Sequence, residues 1–214
     1  MVKAVIFDMD GILIDSLPIH MKIWGIIEKE LGFKIRPEEG VKFNGMSLRE
    51  MITYLKKNHD IPATSDEIYE MKMRLQKEMF WDEVTLFKGV EDLLKELNTS
   101  GIRCAVATSS ERYFMDMVVD KFDIRGYFSG FVSCDDVKKA KPEPEIFLLA
   151  AKRSGTKPKE CVVIEDAPNG ITAAKKAGMK SIAVMTTHTE DALHDADLIV
   201  NSIDEISLSL LKNI

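Results

Sequence analysis

Four acidic residues stand directly at the ends of two short apolar runs in this sequence. Asp8 and Asp10 follow the first run, and Glu165 and Asp166 close the second. Taken singly, such acids also serve as turn formers and helix N-caps. Two carboxylates 4 Å apart, however, repel by about 4 kcal/mol at an effective dielectric of 20, so a converging group must bind protons or a cation. An incomplete set of oxygen ligands, with room for water and phosphate oxygens, favours Mg²⁺. The four acids together therefore predict a Mg²⁺ site.

Two further points of the chain carry residues that could hold a phosphate. Thr108, Ser109 and Ser110 end an apolar run and open a helical pattern, where hydroxyls beside free helix N–H groups bind an anion or cap the helix. Lys141 precedes Pro142, which favours extended backbone. We expect the lysine at the rim of the loop near the carboxylates, where its charge would offset both the acids and an incoming phosphate. These residue types predict phosphoryl transfer. One aspartate attacks phosphorus, a second carboxyl protonates the leaving oxygen, and Mg²⁺, lysine and a hydroxyl hold the phosphate.

The elements that would position these residues alternate along the chain. Short runs rich in β-branched residues predict strands at Lys3–Phe7, Ile102–Thr108, Gly130–Ser133, Cys161–Glu165, Ser181–Met185 and Leu198–Val200. Helical patterns lie between or after them, at Val90–Leu97, Arg112–Phe122, Glu143–Arg153, Gly170–Ala177 and Ile206–Leu211. This alternation predicts an α/β fold with a doubly wound parallel sheet. Ligands bind such sheets at the carboxyl ends of the strands, where the polar residues stand.

The connection after the first strand is far longer than the roughly twelve residues that a crossover needs. Three apolar stripes within it have helical spacing: His20, Trp24, Ile27 and Leu31; Leu48, Met51, Ile52 and Leu55; and, after the start signal Ser65-Asp66-Glu67, Ile68, Met71, Leu75 and Met79. We therefore predict an inserted α-helical cap domain at residues 16–83. The other domain comprises residues 1–15 and 84–214. Phe80 and Trp81 are expected to pack in the core or hinge of the cap.

Composition excludes several classes of protein. The chain has 214 residues, of which 45% are hydrophobic and 30% charged, which excludes disorder. Its apolar runs fall short of the roughly 20 residues of a membrane span, and a net charge of −6 disfavours nucleic-acid or anionic-membrane partners. Cys104, Cys134 and Cys161 have no CxxC spacing and are expected to be small buried side chains. The start of the chain lacks a signal-peptide pattern, so a cytoplasmic, reducing location is expected.

Four motifs occur in the order found in the haloacid dehalogenase-like superfamily, which the sequence resembles over essentially its whole length. They are Asp8-Met9-Asp10-Gly11, Thr108, Lys141-Pro142-Glu143-Pro144 and Glu165-Asp166-Ala167. The inserted helices resemble the small helical cap of the subgroup that contains phosphoglycolate phosphatase, sugar-phosphate phosphatases and β-phosphoglucomutase. The resemblance implies a Rossmann-like core with an inserted α-helical cap.

The same resemblance implies a role for each motif residue. Asp8 is implied as the nucleophile that forms an aspartyl-phosphate, and Asp10 as the general acid and base. Thr108 and Lys141 are implied to hold the phosphate. The implied metal ligands are Asp8, the carbonyl of Asp10 and Asp166. The residue that corresponds to Glu165 is a ligand in some relatives and lies behind the ligands in others. Dehalogenases that resemble this fold lack the second aspartate, so Asp10 argues against dehalogenation.

Residues of the cap resemble positions that contact substrate. His20 resembles a cap-entry position, although its place on an apolar stripe is equally typical of a packed histidine. The segment Asn44-Gly45-Met46-Ser47-Leu48-Arg49 resembles the specificity loop. In the mutase pattern the arginine follows Gly-x-Ser directly, whereas Leu48 stands before Arg49 here. Lys72 and Arg74 are alternative phosphate-binding bases or solvated surface residues.

We therefore expect a Mg²⁺-dependent phosphatase of a small phosphorylated metabolite, most simply a sugar phosphate. One alternative is a β-phosphoglucomutase-type mutase, which uses the same aspartyl-phosphate. The other is a non-catalytic phospho-acceptor, for which Asp10 would have no use. The sequence does not predict the substrate or the oligomeric state, and it is compatible with a monomer.

Overall fold

The computed structural model describes residues 2–43 and 46–214. The chain divides into two compact units. The first, here the sheet unit, comprises Met1–Ile14 and Leu86–Ile214, and the second, here the helical unit, comprises Asp15–Thr85. The helical unit thus begins one residue before the insertion predicted at 16–83 and ends two residues after it.

The described residues of the sheet unit form a six-stranded parallel sheet. The strands of the whole chain are β1 (Ala4–Phe7), β2 (Ile14–Asp15), β3 (Thr85–Leu86), β4 (Arg103–Ala107), β5 (Phe128–Val132), β6 (Cys161–Glu165), β7 (Lys180–Val184) and β8 (Leu198–Val200). The sheet has the order β5-β4-β1-β6-β7-β8, and β2 pairs separately with β3. The predicted doubly wound α/β fold is confirmed. Because the chain continues on one side of β1 and later returns to its other side, the switch point of the sheet lies at β1.

The helical unit contains four helices within residues 15–43 and 46–85: α1 (Leu17–Leu31), α2 (Pro37–Phe43), α3 (Leu48–Asn58) and α4 (Ser65–Glu83). Only α2 was not predicted, since its few apolar residues form no stripe. Capping boxes begin α3 at Ser47 and α4 at Thr64, one residue before the predicted start signal of α4. Of the two aromatic residues predicted to pack in the core or hinge, Phe80 is fully buried, whereas Trp81 is 57% exposed and does not lie in the core.

Six helices belong to the described sheet unit: α5 (Val90–Thr99), α6 (Arg112–Lys121), α7 (Glu145–Arg153), α8 (Pro168–Lys176), α9 (Glu190–Leu193) and α10 (Leu208–Lys212). Helix α7 begins two residues later than predicted, because Pro144 is its N-cap. The four-residue α9 was not predicted, and α10 begins at Leu208 rather than Ile206 because Ser207 caps it. No helix among the described residues is both long and apolar enough to cross a membrane.

Apolar side chains on both faces of the sheet form the core of this unit. All four residues of β1 are buried, as expected for a central parallel strand. On one face, Ile6 and Val163 pack in a cluster with Phe147 of α7 and Ala173 of α8. The cysteines are free, as predicted, but Cys134 is only partly buried. The carboxyl end of β1 is therefore held rigidly between its neighbours β4 and β6.

Candidate active site

The carboxyl ends of β1, β4 and β6 bring the predicted motif residues together. β1 pairs directly with β4 on one side and with β6 on the other. The backbone N–H of Asp8 donates to the carbonyl of Ile164 at 3.0 Å, which extends the pairing by one residue. The predicted proximity of the two acid-bearing strands is therefore correct. Asp8 and Asp10 lie beside Glu165 and Asp166 at one edge of the sheet.

Lys141 lies beside the carboxylates, as expected, but it is buried inside the acidic group rather than placed at the rim of the loop. Its Nζ donates to Asp8 Oδ1 at 2.8 Å and to Glu165 Oε1 at 2.6 Å. The residue is only 4% exposed, and its ammonium lies 5.0 Å from the centroid of the Phe147 ring. Burial would lower the pKa of Lys141, but Asp8 and Glu165 raise it above its ordinary value. The two carboxylates thus keep this buried lysine charged.

Glu165 is fixed at both of its carboxylate oxygens. While Oε1 accepts from Lys141, Oε2 accepts the backbone N–H groups of Asp166 and Ala167, each at 2.8 Å. The carboxylate packs against the first turn of α8, where a Cβ at Gly170 would lie 1.8 Å from Oε1. Only glycine at position 170 leaves room for this conformation of Glu165.

Asp8, Glu165 and Asp166 form a buried cluster whose nearest carboxylate oxygens lie within 4.8 Å of one another. Burial raises the pKa of Asp8 to about 7, against the opposing effect of Lys141 and with the support of Glu165. Burial, together with Glu165 and Asp8, raises the pKa of Asp166 well above its ordinary value. Three carboxylates around one ammonium leave an excess of negative charge. This all-oxygen donor set fits a hard divalent cation, which would neutralise that excess.

Asp10 contacts the hydroxyl residues at the end of β4. Ser110 Oγ donates to Asp10 Oδ2 at 2.7 Å, and Thr108 Oγ1 donates to the same oxygen at 3.4 Å. The backbone N–H of Ser110 donates to Thr108 Oγ1 at 3.0 Å, and Ser109 between them is half-buried. The turn that places Asp10 depends on Gly11, whose φ is +80°. The hydroxyls predicted to hold a phosphate therefore also orient the second aspartate.

Sequence reasoning missed the segment Thr186-Thr187-His188, which follows β7 at the same edge of the sheet. Thr187 Oγ1 donates to Asp166 Oδ2, and Thr186 Oγ1 donates to the carbonyl of Gly11 at 2.6 Å. His188 Nδ1 lies 2.9 Å from the carbonyl oxygen of Asp166. The signal that located the other motifs, polar residues directly after a predicted strand, was present here as well.

His20 and Arg49 belong to the helical unit, unlike the other predicted site residues. His20 on α1 is half-buried, and Arg49 on α3 is exposed, with its guanidinium 4.6 Å from the centroid of the Tyr69 ring. Lys72 on α4 is buried and donates to Gln76. Asn44 and Gly45, the start of the predicted specificity loop, lie outside the described residues. Contact of these residues with a substrate stays a prediction.

Comparison with known proteins identifies the family. A family model described as haloacid dehalogenase-like hydrolase matches residues 5–184. The chain is 33% identical to hexitol phosphatase A of Escherichia coli strain K12, with 99% of this chain and 96% of that protein covered. It is also 33% identical to a fructose-1-phosphate phosphatase of the same strain, with 85% and 95% covered. The solved structure of a β-phosphoglucomutase from Clostridium difficile is similar with a TM-score of 0.87 at 26% identity, covering all of this chain and 96% of that one. Both the residues at the sheet edge and these similarities show that the chain belongs to the haloacid dehalogenase-like hydrolase family.

Proposed function

We propose that this enzyme is a phosphatase that hydrolyses a small phosphorylated carbohydrate through an aspartyl-phosphate on Asp8, with Mg²⁺ held by the neighbouring carboxylates. One observation carries the proposal: Lys141 donates to both Asp8 and Glu165 within a buried cluster that also contains Asp166. Such a cluster combines a nucleophile, a fixed positive charge and oxygen ligands at the edge where this fold binds ligands. Two relatives named as phosphatases of hexitol and of fructose 1-phosphate support a carbohydrate substrate.

In the first step, a carboxylate oxygen of Asp8 forms a bond to phosphorus while the bond from phosphorus to the substrate oxygen breaks. Asp8 Oδ1 accepts from Lys141, and no described residue donates to Oδ2, so Oδ2 is the oxygen available for attack. The leaving oxygen takes its proton from Asp10. Because Ser110 and Thr108 donate to Asp10 Oδ2, that proton belongs on Asp10 Oδ1.

In the second step, water replaces Asp8 on phosphorus. The Asp10 carboxylate left by the first step removes a proton from this water. The water oxygen then bonds to phosphorus as the bond to Asp8 breaks. Inorganic phosphate leaves, the Asp8 carboxylate is restored, and Asp10 is protonated for the next cycle. The Ser110 hydroxyl, 2.7 Å from Asp10 Oδ2, keeps Asp10 oriented in both steps.

The remaining residues hold the phosphate and the cation. Lys141 and the hydroxyls of Thr108 and Ser109 are proposed to bind the phosphate oxygens, whereas the Ser110 hydroxyl donates its one hydrogen to Asp10. Mg²⁺ would be held by Asp8, Asp166 and the carbonyl of Asp10, where it supplies charge that stabilises the phosphate oxygens in the transition state. Both oxygens of Glu165 are already occupied by Lys141 and two backbone N–H groups. We therefore assign Glu165 to positioning Lys141 rather than to direct ligation.

A phosphosugar mutase is the second candidate function, because one of the similar solved structures is a β-phosphoglucomutase. A mutase would use the same first step and then pass the phosphoryl group to a second hydroxyl instead of water. His20 and Arg49 of the helical unit are the proposed substrate contacts in either case. The expected cytoplasmic location stays a prediction.

A phosphate-release screen tests the proposed function. Protein with Mg²⁺ would be incubated with hexitol phosphates, ketose and aldose phosphates, phosphoglycolate, a nucleoside monophosphate and phosphoserine, with Asp8→Asn as the matched control. We expect release of inorganic phosphate from one or more sugar or hexitol phosphates, and none with the control. Release from no member of the panel, or equal release by Asp8→Asn, would contradict a phosphatase. Preference for phosphoserine or the nucleotide would contradict the carbohydrate substrate.

A further inference from the structure

The segment Thr186-Thr187-His188, here the β7 loop, holds Asp166 at its side chain and at its backbone. Thr187 Oγ1 donates to Asp166 Oδ2 and lies 3.3 Å from the Asp166 carbonyl oxygen. His188 Nδ1 lies 2.9 Å from the same carbonyl oxygen. Because a carbonyl oxygen only accepts, this contact requires a hydrogen on His188 Nδ1, and Nδ1, which also lies 2.9 Å from Thr187 Oγ1, then cannot accept from the Thr187 hydroxyl. Three contacts from one short loop therefore converge on a single aspartate.

The β7 loop also fastens the turn that carries Asp10. Thr186 Oγ1 donates to the carbonyl of Gly11 at 2.6 Å. Gly11 in turn leaves no spare room beside Asp166, since a Cβ at position 11 would lie 2.1 Å from Asp166 Oδ2. The Asp166 carboxylate is thus held between the Thr187 hydroxyl and the backbone of Gly11. Little freedom of rotation remains for it.

The Thr187 hydroxyl has one hydrogen and several possible acceptors. The carboxylate is the strongest of them, because hydrogen bonds to an ionised acceptor are about twice as strong as neutral ones. Its donation to Oδ2 leaves Oδ1 of Asp166, to which no residue in the described ranges donates. Thr187 therefore selects which carboxylate oxygen is available to a ligand.

We propose that Thr187 is a positioning residue that sets the affinity of the site for its divalent cation by fixing the Asp166 carboxylate. The proposal rests on the proposed function in that Asp166 is taken as a ligand of that cation. Groups that hydrogen-bond to metal ligands typically change metal affinity by about 10- to 100-fold. Thr187 is expected to act in this range without touching the substrate.

The test compares three variants by direct binding of Mg²⁺ and Mn²⁺ to metal-free protein, measured by titration calorimetry. Thr187→Val keeps the shape of the side chain and removes the hydroxyl, whereas Thr187→Ser keeps the hydroxyl. Thr156→Val is the matched control: the Thr156 hydroxyl lies 2.9 Å from Ser154 Oγ and 3.2 Å from Sγ of Cys161, at the opposite, amino edge of β6. The melting temperature of each variant in chelator reports structural damage separately.

We expect Thr187→Val to weaken cation binding about tenfold or more, and Thr187→Ser to restore it to within about threefold. Both threonine-to-valine variants should melt within a few degrees of wild type in chelator. With a phosphorylated substrate, the metal concentration for half-maximal rate should rise while kcat at saturating metal changes little.

Cation affinity in Thr187→Val equal to that of wild type, or equally weakened in Thr156→Val, would overturn the proposal. If Thr187→Val does not fold, Thr187→Ala carries the same comparison. A protein that releases no phosphate from any substrate but shows the affinity loss in Thr187→Val would support this inference and contradict the proposed function. Failure of wild-type protein to bind either cation would overturn this inference even if phosphate were released.

Discussion

Lys141 Nζ lies 2.6 Å from Glu165 Oε1, and each of the two side chains is only 1% exposed. Removing one partner of such a buried pair leaves an uncompensated charge, which costs about 3–5 kcal/mol. Glu165 is itself held by backbone N–H groups and by the small size of Gly170. The position of the Lys141 ammonium beside Asp8 therefore depends on Gly170 of α8. Gly170 has no side chain, and it acts on Lys141 through the space that it leaves for Glu165.

Substituting Gly170 tests this dependence. In Gly170→Ala the new methyl group would lie 1.8 Å from Glu165 Oε1, so Glu165 must move and Lys141 loses one of its two carboxylate partners. We expect the catalytic rate to fall by about tenfold or more, as losses of about 1.4 kcal/mol or more in transition-state stabilisation would produce. The measurement is phosphate release with a substrate from the screen, alongside thermal unfolding.

Gly25→Ala is the matched control for Gly170→Ala. Gly25 also lies in a helix, but nothing stands within 4 Å of the position that an added methyl group would take. This variant should gain about 0.5–1 kcal/mol in free energy of unfolding, because alanine is the better helix former, and its activity should stay unchanged. Wild-type activity and stability in Gly170→Ala would show that the Glu165 conformation is unimportant.

Asp8→Asn should remove turnover while leaving the fold intact. The amide has nearly the same shape but is a far poorer nucleophile, and Lys141 keeps its bond to Glu165 in the variant. Circular dichroism and thermal unfolding would check the fold, and phosphate release would check the rate. Activity within about tenfold of wild type, a barrier change of only about 1.4 kcal/mol, would exclude Asp8 as the nucleophile.

Removal of the cation should abolish activity in wild type, and added Mg²⁺ should restore it. Asp166→Ala should be inactive at ordinary Mg²⁺ concentrations, because one oxygen donor of the buried cluster is lost. The measurement is phosphate release after EDTA treatment and after readdition of Mg²⁺. Normal turnover by metal-free wild-type protein would mean that shared protons, rather than a cation, neutralise the carboxylates.

A direct assay separates phosphatase from mutase. Given β-glucose 1-phosphate with a catalytic amount of the 1,6-bisphosphate, the protein should form little glucose 6-phosphate, and monophosphates should yield free phosphate. A mutase must exclude water until a second hydroxyl arrives, and Leu48 before Arg49 departs from the mutase pattern. Formation of glucose 6-phosphate about a hundredfold faster than phosphate release, a difference of about 2.7 kcal/mol in barrier, would establish the mutase instead.

Stability of the helical unit should depend on pH through Glu39. Burial would raise the pKa of Glu39, but hydrogen bonds from the backbone and side chain of Arg36 and from His59 lower it to about 2. A carboxylate whose pKa is lower in the folded than in the unfolded protein stabilises the fold. This stabilisation is fully present above the pKa of the unfolded protein, here 4.5, and is lost as the pH falls toward the pKa of the folded protein.

Glu39→Gln should therefore be less stable than wild type at pH 6, and the difference should shrink as the pH falls from about 4.5 toward about 2. Denaturant unfolding of both proteins at pH 6, 4 and 3 checks this. Glu38→Gln is the control, because Glu38 is largely exposed, with 68% of its side chain accessible. A difference that is constant or grows toward low pH would contradict the role assigned to Glu39.

Local patterns in the sequence were sufficient for the fold class and for most of the site. The alternation of strands with helices follows from hydrophobic periodicity, and the shared place of the polar residues follows from the way parallel strands align their carboxyl ends. This is why Asp8, Asp10, Thr108 and the pair Glu165-Asp166 could be assigned to one edge in advance. Short elements such as α2 and α9 escaped prediction, because one turn or two contains too few residues to show a period.

Only the tertiary structure decided how those residues contact one another. The burial of Lys141 between two carboxylates, the bond from Ser110 to Asp10 and the hold of Thr187 on Asp166 each join segments far apart in the chain. Such contacts depend on distances of a few ångströms between strands and loops, which no spacing within a single segment encodes. The sequence by itself therefore determined which chemical groups meet at the sheet edge. Three-dimensional packing determined which of them are buried, charged and held in place.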